Sequence, residues 1–269
     1  MLEAIFLGLI QGLTEFLPIS SSAHIRITGE FLPSAKDPGA AFTAISQIGT
    51  ELAVLLYFRR DILSIAKAWF KRDGSPEARL GNLIIIGTLP IVVLGYFGES
   101  YITNNFRALW IVASMLIVFG LILGLADYVG KNEKVLAQLN VRDGIGYGFA
   151  QALALIPGVS RSGATIAFGR ILGYKREAAL RYSFLLALPA VFGSGFYQLQ
   201  GALSSSDSSN VFSLAETAVA TGIAFVVGYL VIAWLLKFVS TKSFMPFIIY
   251  RVTLGTVILI LLATGVIAA

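Results

Sequence analysis

The sequence predicts an all-α polytopic membrane protein, with about six full transmembrane helices and two re-entrant helix pairs in an inverted repeat. Composition, the spacing of apolar runs and a pair of matching polar interruptions carry that prediction. Of 269 residues, 57% are hydrophobic and 13% charged, with a mean hydropathy of +0.81. A soluble domain carries about 25% charged residues. The apolar excess comes as separated, continuous runs of helix-spanning length, which makes lipid the solvent and rejects a β-barrel.

Cysteine is absent, which excludes a disulfide framework, a thiolate nucleophile and a cysteine metal site. No basic stretch followed by a small-residue cleavage site opens the chain, so no removed signal peptide is expected. The net charge of +5 is better read as cytoplasmic loop charge than as a nucleic-acid surface.

Six runs read as full spans: Ala40–Phe58, Asn82–Gly98, Ala108–Ala126, Ser183–Leu199, Leu214–Leu236 and Phe247–Ala269. Four connections are basic: Arg59 to Arg79, Lys131 to Arg142, Arg170 to Arg181, and Lys237 with Lys242. Glu99–Arg107 and Gly201–Ser213 are nearly free of Lys and Arg. Basic loops on the cytoplasmic side give one consistent path with both termini outside. Asp61–Arg72 reads as an amphipathic helix on the cytoplasmic surface, and Gly201–Asn210 as a flexible external loop.

Met1–Ile27 and Ile145–Leu172 do not fit as spans. The first holds Glu3, Gln11, Glu15, Pro18, three consecutive serines, His24 and Arg26; the second breaks at Pro157-Gly158. Between Asp143 and Pro157 the chain is too short to cross the ~30 Å hydrocarbon core at ~1.5 Å per residue. Each is expected to be a re-entrant pair of short helices meeting at a polar turn. A shift of 140 residues aligns Ile5, Gly8, Gln11, Leu13, Ser20 and Ser22 with Ile145, Gly148, Gln151, Leu153, Ser160 and Ser162. Chance likeness between apolar helices explains shared Leu, Ile and Gly, but not two serines and a glutamine in register. One membrane domain, 1–269, with halves 1–126 and 141–269, is therefore expected. Three spans per half make the second copy enter from the opposite side, and such folds put their sites where broken helices meet.

Gln11 and Glu15, at i, i+4, project from one helical face. A carboxylate at membrane depth is costly and usually functional. Together they offer two hard oxygen ligands to Mg²⁺ or Ca²⁺, with water and a substrate phosphate completing the shell; the plainer reading is a helix-packing hydrogen bond. Ser20, Ser21 and Ser22 can cap the following helix. His24, the one histidine in the chain, stands three residues after Ser21, where its imidazole can take that hydroxyl's proton. In the second turn Gly158 and Gly163 permit tight turning and close approach. The helix restarting near Gly163 aims free N–H groups at the turn, an anion site. Arg161 adds a planar fork for phosphate oxygens, with Ser160, Ser162 and Thr165 completing a cradle. Arg161 paired with Glu15 for structure alone is the alternative. Gly120 and Gly124 form a GxxxG of the close-packing kind. For Glu51, Glu216 and Arg251, snorkelling or internal pairing serves as well as function.

The stretches Gln11-Gly-Leu-Thr-Glu15-Phe-Leu-Pro-Ile-Ser-Ser-Ser-Ala-His24 and Pro157-Gly-Val-Ser-Arg-Ser-Gly-Ala-Thr165 resemble those of the undecaprenyl pyrophosphate phosphatase, or bacitracin-resistance, family over essentially the whole chain. The resemblance implies dephosphorylation of a C55 polyprenyl pyrophosphate at the outer, periplasmic side of a bacterial cytoplasmic membrane, recycling the lipid carrier for cell-wall polymers. It carries the family's Glu/Gln-x-x-x-Glu motif onto Gln11 and Glu15, its serine turn onto Ser20 and Ser21, its histidine onto His24, and its arginine motif onto Ser160, Arg161 and Thr165. Gln11 stands where some members have Glu, which removes one anionic metal ligand. The partners implied are the lipid substrate and membrane lipids, with no nucleic acid; a homodimer is left open.

The expected chemistry is attack by Ser21 on the terminal phosphorus with His24 as base, Arg161 stabilising the transferring charge, and water resolving a phosphoserine. Glu15 and Gln11 hold a divalent cation, or Glu15 orients His24 or water. Direct water attack, and Ser20 as substitute nucleophile, stay open. The rival class is a transporter or flippase, an architecture that also uses inverted repeats with broken helices. At the offset positions the second turn has Leu155, Arg161 and Ala164 in place of Glu15, Ser21 and His24. One turn is thus expected to react and the other to bind.

Overall fold

Apolar sequence in runs of membrane-spanning length gives helices, because a helix satisfies its own backbone within one segment. The computed structural model describes residues 1–33, 37–204 and 211–267. Short helices α1 (Leu2–Thr14) and α2 (Ser21–Gly29) open the chain. They are followed by α3 (Gly39–Tyr57), the short α4 (Arg59–Lys71), α5 (Pro76–Asn105) and α6 (Leu109–Val129). The second run has the same order without a counterpart of α4: α7 (Val141–Ala152), α8 (Arg161–Ile171), α9 (Arg176–Ser204), α10 (Leu214–Val239) and α11 (Met245–Ala263). The described residues hold no strand, only an isolated bridge between Lys134 and Tyr174.

Among the described residues, six helices are long and apolar enough to cross a membrane: α3, α5, α6, α9, α10 and α11. They match the six expected runs, but several start earlier. α5 begins at Pro76 behind Ser75, whose hydroxyl accepts from the Ala78 N–H; α9 begins at Arg176, seven residues ahead of the expected Ser183. Polar residues at these ends belong to the helix because caps and the bundle's edge supply partners that hydropathy does not register. The expected loop at Gly201–Asn210 begins inside α9, and the rest of it, like the last two residues of the sixth expected run, lies outside the described residues.

The basic connections gather at one end of the bundle. Asp127, at the end of α6, accepts from Arg170 of α8 at 3.0 Å, from Arg176 of α9 at 2.8 Å, and from the Phe244 N–H before α11 at 3.2 Å. Arg181 pairs with Asp61 of α4 at 2.7 Å. α4 itself turns Ile65 and Ala68 inward and leaves Arg59, Arg60, Lys67 and Lys71 exposed, as the amphipathic reading expects. α7 starts at this end, where the Tyr174 hydroxyl donates to Asp143 at 2.6 Å. α8 ends there too, at Arg170. α1 and α2 likewise start and finish at a common end, the opposite one. The Met1 ammonium meets Glu216 at the start of α10, and Arg26 of α2 bonds Glu30 at 2.5 Å. Asp37 sits between Arg26 and Arg107. Burial raises the Asp37 carboxyl, but the Arg107 guanidinium outweighs it and holds the group below the ordinary carboxylate range.

The short helices pack on the opposite run's long ones: α1 against α10 and α7 against α5. Matching glycines make this possible. A Cβ on Gly8 would stand 2.5 Å from the Ala220 carbonyl oxygen, and one on Gly148 would stand 2.5 Å from that of Gly87. α6 packs along α11: a Cβ on Gly120 would stand 3.3 Å from Arg251 and Val252, tighter than ordinary contact, and one on Gly124 would touch Ile248 at an ordinary 3.4 Å.

Candidate active site

Each short pair breaks at a serine in the left-handed region: Ser20 at φ 72° and Ser160 at φ 70°. That conformation is uncommon for a residue with a Cβ, and such strain clusters at functional sites. Both serines do the same work. Ser20 caps α2 by accepting from the Ala23 N–H at 3.4 Å, and Ser160 caps α8 by accepting from the Gly163 N–H at 3.2 Å. Each also meets the serine two residues on, at 3.2 Å and 3.3 Å. The positive ends of two helices are thereby brought to the middle of the bundle.

Arg251 of α11, fully buried, clamps the two turns together. Its guanidinium donates to the carbonyls of Pro18 at 2.9 Å, Gly158 at 2.9 Å, Val159 at 3.0 Å and Leu116 at 3.2 Å. The Ser162 hydroxyl adds a bond to the Leu17 carbonyl at 3.2 Å. Gly158 is required by the backbone: its φ is +96°, and a Cβ there would lie 2.4 Å from the Val112 carbonyl.

Glu15 is the hub. Its Oε2 accepts from the Gln11 amide at 2.7 Å, the Ser21 hydroxyl at 2.5 Å and the Gln47 amide at 3.3 Å. Its Oε1 accepts from Arg161 Nη2 at 2.6 Å, and the same nitrogen reaches Glu51 Oε1 at 2.8 Å. Because a carboxylate only accepts, Ser21 is the donor in its pair with Glu15. That leaves the serine oxygen's lone pairs for another atom and puts a base on its proton.

The expected Ser21–His24 pair is not formed. His24 Nδ1 lies 2.8 Å from the Ser20 carbonyl, so Nδ1 carries a hydrogen; Nε2 lies 2.7 Å from the Tyr250 hydroxyl. The two rings stack with centroids 5.5 Å apart. Spacing i, i+3 puts Ser21 and His24 on neighbouring sides of α2. The Ser20 carbonyl and α11 capture the ring while Ser21 turns to α1. The expected phosphate cradle is also only partly free. Ser160 and the Gly163 N–H are joined in the cap, and Gly163 lies against Arg251. Thr165 bonds the Arg161 and Ser162 carbonyls and Ser183 at 2.5 Å. Arg161 is the most available member, its side chain 14% exposed, with both ion pairs made through Nη2. Cavities around α4, including one of about 630 Å³ over Trp69 and Arg72, border none of these residues.

Gln47, Glu51, Tyr250 and Arg251 complete the constellation without having been singled out for it. A signal for two of them exists in the sequence: Gln47-x-x-x-Glu51 has the spacing of Gln11-x-x-x-Glu15. The donor set suits a hard cation. Gln11 Oε1, beside Glu15, is buried with no hydrogen-bond partner among the described residues, as a ligand oxygen would be. The described residues hold no group of three His, Cys, Asp or Glu able to bind a metal alone. Gln11 and Glu15 would therefore share the ion with substrate phosphate, where it would offset phosphate charge.

The family model of the bacitracin resistance protein BacA matches residues 4–257. A relative from Micrococcus luteus, named undecaprenyl-diphosphatase, is 60% identical over 274 residues, covering 100% of this chain and 99% of its own. One of the same name from Paenarthrobacter aurescens is 59% identical, with 100% and 99% covered. An undecaprenyl-diphosphatase 2 from Agrobacterium fabrum is 61% identical, with 100% and 98% covered. Two serine turns locked face to face in a six-span helical bundle are thus found in a chain that belongs to the BacA bacitracin-resistance family.

Proposed function

We propose that this membrane protein hydrolyses undecaprenyl diphosphate to the monophosphate and inorganic phosphate, returning the lipid carrier to cell-wall synthesis. The observation that carries the reading is the Ser21 hydroxyl donating to Glu15 at 2.5 Å, one carboxylate away from Arg161. Ser21 Oγ attacks the terminal phosphorus and its proton passes to Glu15. The Oγ–P bond forms as the bond to the bridging oxygen breaks, and the polyprenyl monophosphate leaves with the bridging electron pair. Water then displaces the serine, which regains a proton as phosphate departs. Arg161 and the first N–H groups of α2 and α8 face the transferring phosphoryl group, where positioning and charge supply most of the catalysis. Gln11 and Glu15 would hold a divalent cation, which would offset the charge of the phosphates. His24, bound between the Ser20 carbonyl and Tyr250, keeps the first turn in shape beside the nucleophile.

The two runs of helices are read as inverted halves, 1–126 and 141–269, each with a re-entrant pair. Support comes from each pair starting and ending at one end of the bundle. With the basic end in the cytoplasm, the first pair opens outward, so diphosphate is taken from the outer side of the cytoplasmic membrane. A carrier without hydrolysis is the competing class, and the Ser21–Glu15 pair argues against it, since transport needs no activated hydroxyl. The test is phosphate release from undecaprenyl diphosphate by the purified protein in detergent, with and without a chelator. Release that the chelator suppresses is expected. No release from folded protein in the presence of Mg²⁺ or Ca²⁺ would refute the hydrolase reading.

A further inference from the structure

Glu15 and Glu51 converge on a single nitrogen. Arg161 Nη2 stands 2.6 Å from Glu15 Oε1 and 2.8 Å from Glu51 Oε1, so the two carboxylates face each other across one donor. One guanidinium thus answers two buried carboxylates, and Glu51 is 0% exposed. A buried charge without full compensation is costly. The other nearby cation does not relieve it. Arg251 spends its guanidinium on the backbone carbonyls of Pro18, Met115, Leu116, Gly158 and Val159. His24 is turned to Tyr250. An entering diphosphate would add negative charge beside both glutamates.

Two hard oxygens there are unspent. Gln11 Oε1 and Glu51 Oε2 are buried and have no hydrogen-bond partner among the described residues. Buried polar atoms are paired in the large majority of cases, so an orphaned carboxylate oxygen next to an orphaned amide oxygen's helix asks for a ligand. The spacing repeats as well: Gln47 and Glu51 on α3 mirror Gln11 and Glu15 on α1, and the Gln47 amide reaches Glu15 at 3.3 Å. Both amides meet at Glu15, and Arg161 joins Glu15 to Glu51.

We infer that Glu51 is an anionic ligand of the cation site, acting with Glu15 and Gln11. It supplies the second negative charge that the neutral amide of Gln11 does not. The inference rests on the cation-assisted reading above. Three protein oxygens leave the remaining positions to water and the diphosphate, the usual arrangement for Mg²⁺. Arg161, relieved as counter-ion of the two glutamates, then has its guanidinium for phosphate oxygens.

The experiment uses full-length protein in detergent, without substrate, with Mn²⁺ as probe by electron paramagnetic resonance and Ca²⁺ by infrared difference spectroscopy. One saturable Mn²⁺ site is expected in the wild type, weakened at least about tenfold in Glu51→Gln, as for groups that hold a metal's ligand shell. A partner of Arg161 alone would lower affinity indirectly, so the infrared spectrum decides. Ca²⁺ is expected to shift carboxylate stretching bands, with one band lost in Glu51→Gln. Asp61→Asn, which removes an outlying carboxylate paired with Arg181, is expected to leave both readouts unchanged. If Glu51→Gln does not fold, Glu51→Asp keeps the charge and is expected to retain a displaced band with weaker Mn²⁺ binding. A Glu51→Gln or Glu51→Asp spectrum identical to wild type overturns the assignment and leaves hydrolysis standing. No Mn²⁺ site in the wild type overturns it together with the cation reading, while phosphate release reports on hydrolysis separately.

Discussion

The turn at Glu15–His24 and the turn at Leu155–Ala164 have one backbone and two chemistries. Both pivot on a serine near φ 70° that caps the next helix and meets a second serine hydroxyl. Both hand carbonyls to Arg251. Where the first has Glu15 and Ser21, the second has Leu155 and Arg161. A repeated backbone device therefore frees side chains to differ: the strained serine and the cap make the geometry, while the residues just beside them decide the chemistry.

The largest effect expected from breaking the comparison is at one serine hydroxyl of each turn. Ser21→Ala should lower phosphate release by about 10³-fold or more, the scale of losing a nucleophile. Ser162→Ala, which loses only bonds to Ser160 and Leu17, should cost less than about tenfold. Equal losses would mean that the two turns share the reaction. Next comes the base. Glu15→Gln should cost about 10²–10⁴-fold in kcat, the usual weight of general-base catalysis, and His24→Gln markedly less, because His24 bonds Ser20 and Tyr250. The reverse order, read from the two kcat values, would restore His24 as base.

Arg251→Met acts on both turns at once. It strands several carbonyls, at about 1–3 kcal/mol each before relaxation, so the apparent Tm in detergent should fall by about 10 °C or more. An unchanged Tm would show that the turns hold without the clamp. The smallest effect lies at the mouth of the first pair. Asp37 has its carboxyl held below the ordinary range by Arg107. Its stabilisation is thus full above the unfolded value of 3.8 and lost as pH falls through the folded one. Asp37→Asn should flatten the Tm–pH curve below pH ~4; a curve parallel to wild type would refute the pairing.

The spans were legible because apolar runs of helix length have one solution in lipid, and the two turns because Gln, Ser and Ser recur in register. Both signals are local. Tyr250 meets His24 across 226 positions, a contact that no spacing encodes. Arg251 bonds backbone oxygens, which every residue has, so its partners leave no mark in the sequence. Glu51 was visible as a carboxylate in a span, yet only the fold brings α3 beside α1 and Arg161. Helical spacing offers His24 to Ser21, yet the ring goes to the Ser20 carbonyl and Tyr250, because spacing says which side chains are near and not which carbonyl or neighbouring helix competes for them.

That the first turn reacts and the second holds is tested most directly by where phosphate goes. Wild-type protein turning over substrate labelled in the terminal phosphate is quenched in acid, digested and mapped. Label on Ser21 is the expected result. Label within 157–165, or no acid-stable label at any quench time while phosphate release proceeds, would contradict it.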